Sequence, residues 1–398
     1  MKKTFILIAI IAAGIFSQSC QNKSGEAATD FIGENVKFAA EQYGLQIAEI
    51  EKSDKVLNPK SIINGKMKYI SPQEWTSGFF PGSLWYIYEL SSDEKWKPLA
   101  TKYTEALDTI QYFTGNHDVG FMIYCSYGNA LRLTGNEAYK NVIVNAAKSL
   151  STRFRPGAGI IQSWNANKKK DWTCPVIIDN MMNLELMFEA TKFSGDSSFY
   201  NIAVTHADNT IKHHYRPDYS TWHVVDYDPE TGDIRHKNTH QGFSDESAWA
   251  RGQAWGIYGF TLCYRETGDR KYLEQAEKAF EFLANHPNMP ADGVPYWDFN
   301  APNIPNENRD ASTAAILASA LYEMSTYDNS EYYKGWADKI VQSLSSAEYR
   351  ANLGENGHFI LKHSVGSLPH NSEVDVPLNY ADYYFLEALK RKRDLERK

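Results

Sequence analysis

From residue 31 onward, apolar positions recur every three to four residues with polar positions between them, the period of amphipathic helices. The pattern predicts helices over 31–52, 76–90, 95–113, 120–134, 137–151, 178–193, 196–212, 246–266, 269–285, 310–326, 330–347 and 378–391. Short and long connections alternate between them. The short ones share a pattern: Leu133-Thr134-Gly135-Asn136 precedes Tyr139, Phe193-Ser194-Gly195-Asp196 precedes Phe199, and Glu266-Thr267-Gly268-Asp269 precedes Tyr272. Looser copies run Glu89-Leu90-Ser91-Ser92-Asp93 before Trp96 and Ser325-Thr326-Tyr327-Asp328 before Tyr332. A glycine suits the left-handed residue that ends a helix, and the following Asp or Asn caps the next one. The aromatic residue is expected to lock the corner, and Ala146, Ala207, Ala276 and Ala337 to let neighbouring helices approach.

Paired helices of this kind bury their apolar faces only by stacking, in an open solenoid or in a ring. The long connections separate the two. Segments 53–75, 152–177, 213–245, 286–309 and 348–377 carry Trp75, Trp164, Trp172, Trp222 and Trp297 with several His and Asp residues, and all lie opposite the tight corners. Five decorated loops facing one way suit a closed double ring with one mouth. The expected fold is an all-α (α/α)6 toroid, and the rival is an open helical scaffold.

Composition narrows the function. The chain has 398 residues, a formal charge of -8, and 10 Trp, 25 Tyr and 19 Phe, which speaks against disorder. No basic stripe supports nucleic-acid binding, since Lys390-Arg391-Lys392-Arg393 is interrupted at once by Asp394 and Glu396.

The N-terminus reads as targeting. Lys2 and Lys3 precede an apolar run from Phe5 to Phe16, too short for a permanent span, and Ser17-Gln18-Ser19-Cys20 follows. We expect a signal peptide over 1–19, lipid on Cys20, a tether over 20–30, one catalytic domain over 31–392 and a charged tail over 393–398. Membrane contact is then through the lipid alone, on an exported, periplasm-facing protein. An ordinary signal peptide with Cys20 incidental is the competing reading. The remaining Cys125, Cys174 and Cys263 are odd in number and widely spaced, so we expect small buried hydrophobes rather than a disulfide scaffold or metal site. No GxGxxG, Walker, Gly-x-Ser-x-Gly or His-Glu-x-x-His motif occurs, so no cofactor or metal is expected. Nothing points to an obligate protein partner.

Two aspartates stand out. Asp118, in Asn116-His117-Asp118-Val119-Gly120-Phe121, lies at a loop-to-helix junction, where a helix cap is the ordinary alternative. Asp179 is set among Val176, Ile177, Ile178, Met181 and Met182. Burial there would raise its pKa, as a general acid near neutral pH requires, although capping competes here too. Ring symmetry aims both at one cavity, and paired carboxylates are the usual equipment for sugar hydrolysis. Around them, Trp75 precedes its helix on the loop side, His223 sits in a possible short strand 222–225, and Arg251 and Trp255 share a helix face. A buried pair of Arg251 with Asp245 or Glu246 is the plainer reading of that arginine, while His206 and His240 read as ordinary satisfied polar groups.

Together, WTSGFFPGSLW at 75–85, HDVGF at 117–121, IDNMMNLELMFEA at 178–190, SDESAWARGQAWGIYGF at 244–260 and VPYWDFNAP at 294–302 resemble glycoside hydrolase family 88, the unsaturated glucuronyl hydrolases. The ending YADYYFLEAL from Tyr380 resembles the family's, with Ala381 where Gly is common. The resemblance implies an (α/α)6 toroid acting on unsaturated uronyl disaccharides or short oligosaccharides left by polysaccharide lyases. It implies Asp179 as general acid and base, Asp118 as the assisting carboxylate, and sugar contacts from Trp75, Trp164 and Trp255. His223, Gln241 and Arg251 would hold the uronate and its neighbour. Members active on sulfated disaccharides resemble one another in a Ser-x-x-Ser-x-Lys segment; here Ser364 and Ser367 are present, but Pro369 replaces the lysine, leaving Lys362 or His370 to compensate. The alternatives are a related pectin-fragment hydrolase of the same chemistry and a non-catalytic, lipid-anchored glycan-binding protein.

Overall fold

All twelve predicted helices form in the computed structural model, which describes Met1 and residues 30–397; Cys20 and the rest of the expected targeting segment lie outside the described residues. In chain order the helices are α1 (Phe31–Ile50), α2 (Phe79–Ser91), α3 (Trp96–Glu105), α4 (Val119–Ile123), α5 (Asn129–Thr134), α6 (Ala138–Ser151), α7 (Leu184–Ser194) and α8 (Ser197–His214). They continue with α9 (Ala250–Thr267), α10 (Arg270–Ala284), α11 (Ala311–Met324), α12 (Ser330–Leu344) and α13 (Asn379–Glu396). A π-helical turn at Tyr124–Gly128 joins α4 to α5, so the two count as one rod. There the Ser126 hydroxyl donates back to the carbonyls of Met122 and Ile123, a local bond that competes with the regular ladder.

Six rods (α2, α4/α5, α7, α9, α11 and α13) touch in sequence, and α13 returns to α2, closing an inner ring. The other six lie outside it, each packed on an inner neighbour. Burial follows: α9 and α11 are buried around nearly their whole circumference, whereas α10 and α12 bury one stripe. The ring is the (α/α)6 toroid.

The tight corners form largely as predicted. Gly135, Gly195 and Gly268 adopt φ of +67°, +74° and +68°. Asn136, Asp196 and Asp269 accept from the backbone N–H two residues on, at 3.2, 2.9 and 3.2 Å. Trp96, Tyr139, Phe199 and Tyr272 are buried behind them, as are the four alanines. The fifth corner differs: Ser325 stays right-handed, and Tyr332 is 46% exposed while Tyr333 takes the buried place. At this end of the axis Arg265 pairs with Glu323 at 2.9 Å, and Glu387 accepts from Tyr86 at 2.8 Å and Tyr258 at 3.0 Å. The charged tail does not separate from the domain. Helix α13 runs through it to Glu396, and Arg393 donates to the Glu89 carbonyl at 2.9 Å.

The opposite end carries the long loops and every strand among the described residues. They form antiparallel hairpins of β1 (Asn58–Ile63) with β2 (Lys66–Ile70), β3 (Phe154–Arg155) with β4 (Ile160–Ile161), and β8 (Ser364–Ser367) with β9 (Ser372–Val376). A three-stranded sheet has the order β5 (Cys174–Ile177), β6 (Val224–Tyr227), β7 (Ile234–Asn238). Among the described residues Cys125, Cys174 and Cys263 are unpaired, and all three are buried.

Candidate active site

Glycines bring the two aspartate segments together. A Cβ on Gly120 would lie 2.5 Å from Asn183 Oδ1 and 2.6 Å from its Cα. The bare backbone lets α4 rest directly on the segment holding Asp179, and Asn183 accepts from the Phe121 N–H at 3.0 Å. On α9, a Cβ on Gly259 would lie 2.4 Å from Met181 Cβ and one on Gly252 3.2 Å from Ile178, while one on Gly256 would lie 2.2 Å from the Tyr215 hydroxyl. Residues Ile178–Asn183 form a 3-10 helix ahead of α7, where periodicity alone predicts one continuous helix.

Both aspartates stand at the loop-side starts of inner-ring rods and are almost covered, with Asp118 7% and Asp179 8% exposed. Asp118 occupies the N-cap position of α4, but its side chain makes no capping bond. Asp179 stands one residue inside its 3-10 helix, and its Oδ2 has no partner among the described residues. Capping therefore accounts for neither. Burial pushes Asp179 up to about 7, against the pull of the Arg251 guanidinium and the Trp255 indole N–H. Burial, then repulsion from Asp179, holds Asp118 well above the usual carboxyl range. His117 Nε2 lies 3.2 Å from Asp118 Oδ1, and burial keeps that imidazole neutral, down at about 3.

His223 immediately precedes β6. Its Nδ1 accepts from the backbone N–H of His240 at 3.0 Å and of Gln241 at 3.1 Å. Two donors on Nδ1 fix the neutral tautomer with its proton on Nε2, and Nε2 lies 3.8 Å from Asp179 Oδ2. Burial and neighbouring positive charge hold His223 well below its ordinary pKa. Arg251 is 1% exposed and pairs with Asp310 at 3.0 Å, not with Asp245 or Glu246. It also donates to the carbonyls of Val365 and, at 2.6 Å, Gly366. Gln241 Nε2 donates to Gly366 O as well, at 3.1 Å, so Arg251 and Gln241 tether the β8 strand to the rim.

Above these groups opens a cleft of about 360 Å³, whose lining includes Trp75, Trp164, Gln241, Arg251, Ser367 and Tyr380. Trp75 packs against Phe121 and Tyr380, ring centroids 5.6 and 5.1 Å apart. Helix α2 starts at Phe79 rather than 76, because Glu74 captures the Thr76 N–H at 2.8 Å and keeps the preceding residues in a turn. Trp164 stacks on Trp172 at 5.3 Å. Trp255 is fully buried, its ring 5.2 Å from Phe121, and so forms the floor rather than the rim. Of the serine pair, Ser367 lines the cleft while Ser364 is wholly buried in β8. Lys362 turns away to the Ala347 carbonyl at 2.8 Å, whereas His370 lines the cleft. Sequence reasoning did not single out Lys60, clamped between Glu74 and Glu373 at 2.8 Å each, or Lys170, and it took His240 for an ordinary polar group. No sequence signal marks them, because each acquires its neighbours from a different loop.

An (α/α)6 ring with a buried, raised-pKa carboxyl pair at the end that carries an aromatic-lined cleft defines a glycoside-hydrolase type of enzyme. The chain belongs to glycosyl hydrolase family 88, whose profile matches residues 51–393. It is 51% identical over 327 residues to an unsaturated glucuronyl hydrolase of Formosa agariphila, covering 82% of each chain. It is 34% identical over 336 residues to an unsaturated chondroitin disaccharide hydrolase of Streptococcus agalactiae, covering 82% of this chain and 83% of that one. The crystal structure of an unsaturated glucuronyl hydrolase specific for heparin superposes with a TM-score of 0.89 at 47% identity, covering 93% of this chain and 98% of that one.

Proposed function

We propose that the protein removes the 4,5-unsaturated uronic acid from the non-reducing end of lyase-generated glycosaminoglycan oligosaccharides by hydrating the enol ether. The observation that carries the reading is Asp179, a buried carboxyl held near pKa 7 whose Oδ2 has no partner among the described residues and lies 3.8 Å from His223 Nε2. A group poised there is protonated for the first step and a competent base for the second. Asp179 delivers its proton to C4, and positive charge develops across C5 and the ring oxygen. Arg251, the Trp255 N–H and the His223 Nε2–H then face the new carboxylate. That carboxylate takes a proton from water as its oxygen bonds to C5. The resulting hemiketal opens to a C5 ketone, the ring oxygen becomes a hydroxyl on C1, and C1 expels the second sugar as its alcohol. One water is consumed and Asp179 is again protonated.

The test follows loss of the double bond's ultraviolet absorbance over a panel of unsaturated chondroitin, heparin and pectin disaccharides, run in heavy-oxygen water. The reading expects turnover of glycosaminoglycan members with label entering at C5. Label at C1, or equal cleavage of saturated uronides, overturns the mechanism; turnover of pectin fragments alone transfers the protein to the pectin alternative. We also infer lipid attachment at Cys20 and a periplasm-facing location, from the Ser17-Gln18-Ser19-Cys20 pattern. Cys20→Ala should move the protein from membrane to soluble fractions, and a wild-type protein already soluble and beginning elsewhere than at residue 20 refutes that assignment.

A further inference from the structure

Two arginines are buried among the described residues, and they are held differently. Arg251 pairs with Asp310, whereas Arg153, 4% exposed, pairs with no carboxylate among the described residues. Its guanidinium donates instead to neutral acceptors on two connecting segments. These are the carbonyls of Thr114 at 2.9 Å, Gln162 at 2.7 Å and Ser163 at 3.3 Å, and Asn165 Oδ1 at 3.2 Å from both terminal nitrogens. The Arg153 carbonyl in turn accepts from the Gln162 N–H at 2.9 Å. Burying a guanidinium without a counter-ion is costly, and no step of the hydration uses this one.

Its acceptors explain its place. Residues 161–165 bond to both aspartate segments. On one side, the Ser163 carbonyl accepts from the His117 N–H at 3.1 Å, next to Asp118. On the other, Ser163 Oγ accepts from the Ile177 N–H at 3.0 Å, and the Ser163 N–H donates to the Pro175 carbonyl at 2.9 Å. Asn180 Nδ2, beside Asp179, donates to the Ile161 carbonyl at 2.6 Å. Trp164 belongs to the same stretch and lines the cleft. Arg153 ties this stretch to the Thr114 end of the Asp118 loop. It does so with a rigid fork of donors, which the single nitrogen of a lysine cannot reproduce.

We propose that Arg153 is a positioning residue, seating residues 161–165 against both aspartate segments and so setting the separation of the two carboxyls and the aim of Trp164. Its charge has a second consequence. Burial and Arg155 pull the guanidinium down only to about 10, so it stays cationic at working pH. Burial, Asp179 and Glu74 hold the Asp118 carboxyl up, and Arg153 opposes them. The other groups facing the pair are His117 and His223, both kept neutral by burial, and Arg251, which acts on Asp179. Without the Arg153 charge the pair therefore keeps its proton to higher pH. The assignment rests on the hydration reading for its assay.

The test compares full-length Arg153→Lys and Arg153→Met with wild type, after thermal unfolding has verified that each is folded. Both should lose about a hundredfold in kcat, the worth of a displacement of about 1 Å at a catalytic group, and KM should rise as Trp164 loses its aim. The pH profile separates charge from geometry. The alkaline limb of kcat/KM should keep its wild-type position in Arg153→Lys and move to higher pH in Arg153→Met, a shift that a merely structural residue does not produce. A kcat within about threefold of wild type in either variant overturns the proposal. A limb unmoved in Arg153→Met overturns it as well, since the guanidinium is then not seated against the Asp118 segment. Should neither variant fold, Asn165→Ala, at an exposed position, removes two of the five guanidinium bonds and should lower kcat/KM about tenfold; unchanged kinetics refute the role. If wild type hydrates no unsaturated disaccharide, the hydration reading fails and amide exchange decides the positioning role. In whichever variant folds, the His117, Ser163 and Ile177 N–H groups should lose protection while α10 and α12 keep theirs. Unchanged protection at those three amides, or an equal loss throughout the ring, refutes it.

Discussion

Asp179→Asn tests acid catalysis and the burial that enables it in the same protein. The folded carboxyl is held at about 7 against an ordinary 3.8. At about 1.36 kcal/mol per unit, keeping the buried group ionised costs about 4 kcal/mol. The sign follows from proton binding: between pH 4 and 7 the folded state binds more protons than the unfolded one, so stability falls as pH rises. The cost is absent below the ordinary value and complete above the raised one. Asn carries no charge at any pH and escapes it, and its loss of repulsion also relieves Asp118. A chain of this length changes stability by about 0.8 kcal/mol per degree near its midpoint. The variant should therefore melt roughly 5 °C above wild type at pH 8 and level with it at pH 4. Its kcat should fall by roughly 10²–10⁴, the usual worth of a positioned acid. Thermal scans at the two pH values and the absorbance assay measure both. A variant retaining more than about a tenth of wild-type kcat removes Asp179 from the acid role. A melting difference that does not change with pH shows instead that burial does not hold the carboxyl neutral.

Three further outcomes can be measured alongside it. The kcat/KM profile should decline on the alkaline side with an apparent pKa near 7 as Asp179 loses its proton, a value that belongs to the coupled carboxyl pair; a profile flat from about pH 6 to 9 contradicts it. Arg251→Met strips the buried Asp310 of its cation and leaves Gly366 with Gln241 alone, so denaturant unfolding should show a loss of about 3–5 kcal/mol; a loss below about 1 kcal/mol denies the pair a structural role. Trp75→Ala should raise KM about tenfold while kcat stays within about threefold, since its exposed face meets sugar and not the reacting atoms; a change confined to kcat rejects the stacking role.

Helix periodicity was legible because each helix carries its own 3.6-residue signal, and the corners were legible because glycine and cap chemistry are local. The fifth corner was misjudged at Tyr332 because it lacks the glycine that sets the phase, and Tyr333 turns inward instead. The aspartates were legible as residues in unusual company. Their surroundings were not, because every decisive partner comes from far along the chain. Arg251 finds Asp310 across 59 positions and Gly366 across 115. Lys170 finds His240 across 70. The 3-10 start at Ile178 and the π-turn at Tyr124 were invisible for a related reason. Both leave the apolar spacing close to helical while changing which way the backbone aims the side chains.

Aim is what the glycines secure, and this leads to a prediction about a residue that takes no part in the chemistry. At Gly120 the backbone of α4 lies against Asn183, where a Cβ would come within 2.6 Å of the Asn183 Cα. Neither side can yield by rotating a side chain, so Gly120→Ala must push the Asp118 segment away from the Asp179 segment. Overpacking of this kind costs about 1–3 kcal/mol, which a domain of this size survives. Catalysis is less forgiving, since a displacement of about 1 Å at a catalytic group is worth about 10²-fold in rate. The variant should thus fold, bind a sugar ligand and lose about a hundredfold in kcat. Gly44→Ala on α1 is the control, for nothing lies within 4 Å of its Cβ, and better helix propensity should leave it equal to wild type or up to about 1 kcal/mol more stable. Should Gly120→Ala keep kcat within about threefold while showing the expected stability loss, the two aspartates do not depend on close seating of α4, and their separation must be set by the loops instead.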